Sequence, residues 1–265
     1  MRTSLQWYTP QEDALTAPYP CGFIGDGITR GVALALPSSI VRAFLPAGLE
    51  LGEQRVTPPG THPLVFLFHS FSHCQFSFPT LLPSMNFHEQ TVGVPFTFVR
   101  SVGPYYFMPK LYLDDRWVLM VGRTWWGFDK ELAIVNADDA QYTVTSLAGR
   151  PLVSLAGSSG DEYRPIALYP EFEPVRQMLS QPLISESRLA AGPSFTLTDF
   201  DRRWNLARVR PLRAVLDVGS SYLRGLDAGH YPSSELGSFE LSAPWWLSFP
   251  YPPPLASRQA SSFTL

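Results

Sequence analysis

The chain has 265 residues, of which 45% are hydrophobic, so it can bury a large core as one large domain or two small ones. Its formal net charge of −3 offers no electrostatic basis for binding nucleic acid or an anionic membrane. Charged residues make up only 16% of the chain and aromatic residues 14%, and there are 26 prolines. This composition favours a strand-rich globular fold with many turns over a helical bundle or a disordered chain.

The sequence indicates neither export nor membrane insertion. Cys21 and Cys74 are too few for a disulfide framework. The N-terminal segment lacks the continuous apolar run of a signal peptide. Residues 56–88 contain no Asp, Glu, Lys or Arg, but prolines and histidines interrupt them, and no 18-residue run is purely apolar. We therefore predict a cytoplasmic protein.

Apolar runs bounded by turn residues predict strands throughout the first half of the chain. The predicted strands are 31–36, 63–71, 92–99, 110–115 and 116–122. Between the first two, a short helix within 37–51 is predicted, with Ser38 or Ser39 as its N-cap and Pro46 closing it.

The second half continues with β-rich runs. Two runs within 133–160, broken by NADD and AGRP, predict hairpin pairing. A helix is predicted within 169–181, and strands within 194–200 and 207–223, where Pro211 implies an edge or a bulge. We predict one α+β domain with mainly antiparallel sheets and a few peripheral helices over 1–250. A Pro/Ser-rich tail over 251–265 is expected to be extended and frayed.

Lysine is nearly absent from this chain, which has 18 arginines but only Lys110 and Lys130. Arginine stays protonated in proteins, whereas a desolvated lysine can lose its proton and form an imine with a ketone. The aromatic residues at 125–128 offer apolar surroundings that favour a neutral amine at Lys130. Asp129 and Glu131 favour the opposite reading, an exposed ammonium, unless a strand directs them to the other face.

The segment LYLDDRWVLMVGRTWWGFDKELA (111–133) resembles the central segment of the acetoacetate decarboxylase superfamily. In that family a Tyr-Leu-Asp strand leads through Gly-Arg to the lysine that forms the Schiff base. Here Gly122-Arg123 and Phe128-Asp129-Lys130 fall in those places, so the resemblance implies that Lys130 is the imine-forming residue.

Two upstream segments extend the resemblance over about 35–133 in the family's order. FHEQTVGVPF (87–96) is similar to the family segment in which a glutamate, here Glu89, precedes a proline by six residues. AFLPAGLEL (43–51) is similar to its helix-ending segment. The resemblance implies a cone- or barrel-like sheet around a pocket, a homo-oligomer, and no cofactor besides the covalent lysine imine.

The chain departs from the family's decarboxylases in how it would hold a substrate carboxylate. Glu131 replaces the second lysine of the family's pair, and Ala35 stands where these enzymes carry an arginine. The second upstream acid of the family is missing as well. Arg123 and Arg30 are the candidates to replace that arginine.

The candidate site follows from the resemblance and from local chemistry. The proposed catalytic residues are Lys130 and Glu89, the latter moving a proton to or from an enamine. Residues expected to bind substrate are Arg123, His88, Phe128, Trp126 and Leu111. His69 and His73 have the i,i+4 spacing that binds zinc on a helix, but their segment is predicted to be strand and loop, so no metal site is expected.

Three functions are compatible with these residues. The leading hypothesis is a lyase that acts on a keto acid through a Lys130 imine, of the aldolase-dehydratase or decarboxylase type, in specialised metabolism. The second is an imine-independent cyclase or isomerase on the same fold that uses general acid/base groups. The third is a non-catalytic binder of an apolar small molecule.

Overall fold

The computed structural model describes residues 22–77, 83–159, 161–186, 195–232 and 237–253. Most of them lie in strands: β1 (Gly22–Pro37), β2 (Leu49–Leu51), β3 (Thr61–Phe76), β4 (Met85–Val99), β5 (Val102–Leu113), β6 (Lys130–Ala137), β7 (Gln141–Ser146), β8 (Pro151–Ser158), β9 (Arg164–Pro165), β10 (Leu183–Glu186), β11 (Phe195–Thr198), β12 (Phe200–Asp201), β13 (Arg208–Val218), β14 (Gly229–Pro232) and β15 (Ser238–Ser248). The helices are α1 (Ser38–Arg42), α2 (Arg116–Trp125) and α3 (Glu173–Leu179), with 3-10 turns at Ile166–Leu168 and Pro170–Phe172.

These strands form one sheet that closes on itself. The order is β5-β6-β7-β8-β13-β15-β1-β3-β4, and β4 pairs with β5 to complete a ring. Strands β1 and β15 pair antiparallel from Gly22 opposite Ser248 to Val32 opposite Ser238. Among the described residues, only β5–β6 and β5–β10 pair in parallel. The predicted α+β fold with a mainly antiparallel, barrel-like sheet and few helices is confirmed.

Strand β3 shows how the ring separates two apolar clusters. Successive side chains leave a strand on opposite faces. Over residues 64–71 of β3, odd-numbered side chains enter one cluster (Val65, Leu67, Phe71), and even-numbered ones enter the other (Leu64, Phe66, Phe68). Because both faces of β3 are covered by apolar groups, its sequence contains no Asp, Glu, Lys or Arg.

The strand predicted at 116–122 is wrong, since these residues belong to helix α2. The side chain of Asp115 accepts a hydrogen bond from the backbone N–H of Val118 at 2.8 Å and caps the helix. Val118, Val121 and Gly122 are buried and Met120 is exposed, which is a helical and not an alternating pattern. A short apolar run alone does not separate a strand from a buried helix face.

The structure also bears on the two predicted helices and on Pro211. The helix predicted within 37–51 is α1, but the cap position is Pro37 without a side-chain cap, and the Ser38 hydroxyl donates to the carbonyl of Gly60. The helix predicted within 169–181 is confirmed as α3. Pro211 lies where β13 changes neighbours, from β15 over 208–212 to β8 over 213–218.

The chain ends predicted from the sequence are only partly described. At the start of the predicted tail, Tyr251 forms a bridge with Leu197. Residues 1–21 and 254–265 lie outside the described residues, so the domain limits and the frayed tail stay predictions. None of the helices described is long and apolar enough to cross a membrane.

Candidate active site

A pocket lies between the sheet and helix α2, with about 730 Å³ of space not occupied by protein atoms, its open mouth included. Aromatic and aliphatic side chains supply most of its lining, which suits an apolar small molecule. The charged or polar lining residues are His69, Glu89, Thr91, Tyr106, Lys130 and Arg202.

Strand register brings Lys130 and Glu89 together. Lys130 lies opposite Leu111 in the β5–β6 pair, and Leu111 lies opposite Thr91 in the β4–β5 pair. Glu89 is two residues before Thr91, so its side chain leaves β4 on the same face. The Lys130 Nζ donates a hydrogen bond to Glu89 Oε2, and the two residues are only 6% and 8% exposed.

The two acids beside Lys130 face away from the pocket. Lys110 Nζ lies 3.3 Å from Asp129 Oδ2 and 2.9 Å from Glu131 Oε2, and both carboxylate side chains are half-exposed. Adjacent side chains alternate at the start of β6, so Lys130 enters the pocket while its neighbours pair with the other lysine. The acids that favoured an exposed ammonium at Lys130 are therefore paired elsewhere.

The Gly122-Arg123 dipeptide of α2 shapes the surroundings of Lys130. A Cβ at Gly122 would lie 2.5 Å from Lys130 Cε and 2.8 Å from Cδ, so only glycine leaves room for this lysine conformation. Arg123 Nε donates to the Lys130 backbone carbonyl at 2.7 Å. Arg123 was predicted to bind substrate, but it does not line the pocket; its guanidinium instead holds the strand that carries Lys130.

The other residues predicted for the site divide into two groups. Leu111, Trp126 and Phe128 line the pocket, and the Lys130 Nζ lies 5.8 Å from the centre of the Phe128 ring. His88 does not line it; its Nδ1 lies 2.8 Å from Asp114 Oδ2 on the other face of β4.

Arg30, the other candidate for a substrate carboxylate, does not line the pocket either. Its Nε donates to Glu240 Oε2 at 2.6 Å, and its Nη1 donates to the carbonyl of Asp138. This arginine already has an acidic partner inside the protein.

His69 lies in the pocket lining, whereas its predicted companion lies on the surface. His69 Nδ1 is 2.8 Å from Thr29 Oγ1, and His73 Nδ1 is 3.2 Å from Asp26 Oδ2. Burial, and then the positive charges of Arg202 and Lys130, hold the pKa of His69 well below its ordinary 6.5. In the described part of the chain, no group of three or more His, Cys, Asp or Glu residues is placed to hold a metal ion.

Arg202 is the pocket residue that sequence reasoning missed. It follows strand β12, which pairs with β15 so that Phe200 lies opposite Leu247. Its guanidinium carbon lies 4.3 Å from the centre of the Phe200 ring, and its Nη1 donates to the carbonyl of Leu179 at 2.6 Å. Burial lowers the pKa of Arg202 to about 10, so the group stays cationic at neutral pH. Its only sequence signal is an arginine between Phe200 and Trp204.

Three buried polar atoms of the lining have no hydrogen-bond partner among the described residues. They are Thr91 Oγ1, Tyr106 Oη and Trp245 Nε1. A buried polar group without a partner costs about 1–3 kcal/mol, so such groups are exceptional in folded proteins. Their concentration around one pocket marks a place where water or a polar ligand group completes the bonding.

The depressed pKa of His69 predicts how the stability of the protein depends on pH. Above pH 6.5 both the folded and unfolded states hold a neutral imidazole. Below pH 6.5 the imidazole takes up a proton in the unfolded state but not in the folded state. The free energy of unfolding therefore falls by about 1 kcal/mol for each unit by which the pH is lowered. Urea unfolding at several pH values should show a smaller fall for His69→Gln than for wild type. The control is His73→Gln, at an exposed site; a fall unchanged in His69→Gln would contradict the assignment.

A sequence model of the family described as acetoacetate decarboxylase (ADC) matches residues 25–173, more than half of the chain. A search of curated protein sequences finds no match.

Solved structures share the fold at low sequence identity. Acetoacetate decarboxylase from Legionella pneumophila subsp. pneumophila str. Philadelphia 1 is 14% identical with a TM-score of 0.62, over 96% of this chain and 98% of that chain. An acetoacetate decarboxylase-like enzyme from Sphingomonas wittichii RW1 is 12% identical with a TM-score of 0.59, over 95% and 98%. The enduracididine biosynthesis enzyme MppR complexed with pyruvate is 16% identical with a TM-score of 0.56, over 91% and 93%. MppR is also similar in its complex with the condensation product of pyruvate and imidazole 4-carboxaldehyde.

Proposed function

Because the chain belongs to the acetoacetate decarboxylase family, we propose that it is a lyase that acts on a keto acid through a Schiff base on Lys130. The observation that carries the proposal is the placement of Lys130, which is buried in an apolar pocket with its Nζ bonded to Glu89. The family and the solved neighbours are enzymes, which supports an enzymatic role.

The pair gives each residue a role in imine formation. Lys130 must react as the neutral amine, and Glu89 is the group placed to accept its proton. The amine adds to the keto carbon, a C–N bond forms, and the former carbonyl oxygen leaves as water. The resulting iminium withdraws electrons from the neighbouring carbon, and Glu89 then moves a proton to or from that carbon as the enamine forms or collapses.

Two fates of the iminium fit this pocket. The iminium of a β-keto acid loses CO2 and leaves an enamine that takes up a proton at carbon. The iminium of an α-keto acid loses a proton instead, and the enamine so formed attacks an aldehyde, after which loss of water completes the joining of the two substrates. The departures at Glu131 and Ala35 from the family's decarboxylases favour the second, aldolase-dehydratase type. The pyruvate complexes of MppR, a protein of the same fold, support a small keto acid as the substrate class.

An imine-independent cyclase or isomerase is the second candidate. It is favoured by the same Lys130–Glu89 contact, since an acid and a base side by side in a pocket can move protons on a substrate without forming an imine. In that case Lys130 acts only as an acid or an electrostatic group. The homo-oligomer and the cytoplasmic location stay predictions.

The experiment that separates these functions is the intact mass of the protein after borohydride treatment with pyruvate or acetoacetate. We expect a substrate-dependent adduct on wild type and none on Lys130→Arg, and the adduct's mass shows whether CO2 has left. Lys110→Arg is the matched control, because it keeps the charge beside Asp129 and Glu131 and leaves Lys130 as the only lysine. Absence of an adduct with every keto acid tested, or an equal adduct on Lys130→Arg, would refute the imine.

A further inference from the structure

Arg202 is a buried cation that lines the pocket without an acidic partner. It is 5% exposed, and among the described residues its one hydrogen bond runs from Nη1 to the carbonyl of Leu179. No Asp or Glu of the described chain forms an ion pair with it, and Asp201 acts on it only through its more distant charge, whereas Arg30 and Arg210 both pair with Glu240. Guanidinium carries five N–H donors, so four are left for another group.

Burying an unpaired charge is costly, and proteins normally keep such a charge only with a partner. The Arg202 guanidinium carbon lies over the Phe200 ring, 4.3 Å from its centre, and this contact helps to hold the group in place. A planar anion that accepts two parallel N–H bonds, namely a carboxylate, is the partner that this geometry suits best.

Two neighbouring lining residues strengthen the same conclusion. Tyr106 Oη and Trp245 Nε1 are buried donors without a partner among the described residues. Burial raises the pKa of Tyr106 and the charge of Arg202 partly offsets that rise, so the two groups lie near each other. A carboxylate has acceptor sites for all three side chains.

We propose that Arg202 binds the carboxylate of the substrate, with Tyr106 and Trp245 as further donors, while Lys130 takes its keto carbon. The assignment rests on the proposed function for the identity of the substrate. Arg202 would supply the cation that the family's decarboxylases carry at the position of Ala35. Since most of the remaining lining is apolar, the substrate class becomes a monocarboxylic keto acid whose remaining carbons are apolar.

The test uses ligands that cannot form an imine, so that it does not depend on Lys130 chemistry. Lactate and 3-hydroxybutyrate would be compared with their methyl esters, by calorimetry or by quenching of the pocket tryptophans. We expect wild type to bind each acid at least about tenfold more tightly than its ester, and Arg202→Gln to lose that preference. Arg203→Gln should keep it, because that guanidinium stacks on Trp246, 4.5 Å from the ring centre, and does not line the pocket.

A second measurement links the assignment to the reaction. In borohydride trapping, Arg202→Gln should need at least about tenfold more pyruvate for half-maximal labelling, with little change for methyl pyruvate. Arg202→Lys, which keeps the charge, should recover part of the loss.

The outcomes separate the two proposals. Acid preference that depends on Arg202 without any trapped imine would refute the Schiff base and keep the carboxylate site. Trapping with equal preference for acid and ester in wild type would refute the carboxylate site and keep the Schiff base. Equal binding of acid and ester by wild type would refute the carboxylate site even if the Arg202 variants do not fold.

Discussion

Glu89→Gln is expected to slow the exchange of pyruvate methyl protons with deuterated water by a factor of about 100 or more, within the range that general acid/base groups contribute. The amide keeps the shape of the side chain and its contact with Lys130 Nζ, but it cannot accept a proton from the carbon beside the imine. Because Glu89 is also the group placed to accept the Lys130 proton, borohydride trapping should slow as well. The exchange is followed by NMR with pyruvate as the probe.

The matched control for this variant is Glu131→Gln. Its side chain lies on the other face of β6 and pairs with Lys110, so neither exchange nor trapping should change by more than a few-fold. Wild-type exchange rates in Glu89→Gln would show that another group moves the proton, and equal losses in both variants would point to a general electrostatic effect.

Gly122→Ala is expected to reduce trapping at Lys130 by about 100-fold while the protein stays folded. Replacing an interior helical glycine by alanine ordinarily stabilises a helix by about 1 kcal/mol. Here the new methyl group would overlap Lys130 Cε and Cδ, which belong to a flexible side chain, so the lysine moves and the helix does not. A displacement of about 1 Å from the reacting position costs on the order of 100-fold in rate.

Thr124→Ala is the control for the helix effect, because it raises helix propensity in α2 at an exposed position. Trapping rates and urea midpoints should be measured for both variants. Unchanged trapping in Gly122→Ala would mean that Lys130 does not need the conformation described here.

Much of the fold could be predicted because its strands are short apolar runs bounded by turn residues. The error at 116–122 arose because five apolar residues in succession fit either a strand or a buried helix face. The deciding signal was Asp115, whose cap fixes a helix start, and it was present in the sequence.

The site was predictable only where the family resemblance reached. No local sequence pattern predicts that Glu89 contacts Lys130. The two residues meet because of the registers in which β4, β5 and β6 pair, and these registers depend on contacts between residues far apart in the chain. Arg202 lies outside the segment that resembles the family, about 35–133. Its position in the pocket depends on the pairing of β12 with β15. Arg123 was assigned to substrate because a side chain that holds a backbone carbonyl has the same sequence signature as one that binds a ligand.

The pairing of β1 with β15 determines when the pocket can exist during synthesis. Phe23 of β1 and Trp245 of β15 both line it, yet roughly two hundred residues leave the ribosome between the two strands. Strands β4, β5 and β6 are made early and can bring Glu89 to Lys130 before the ring closes. A nascent chain therefore exposes Lys130 to water, and we expect exclusion of water from its amine to be among the last steps of folding.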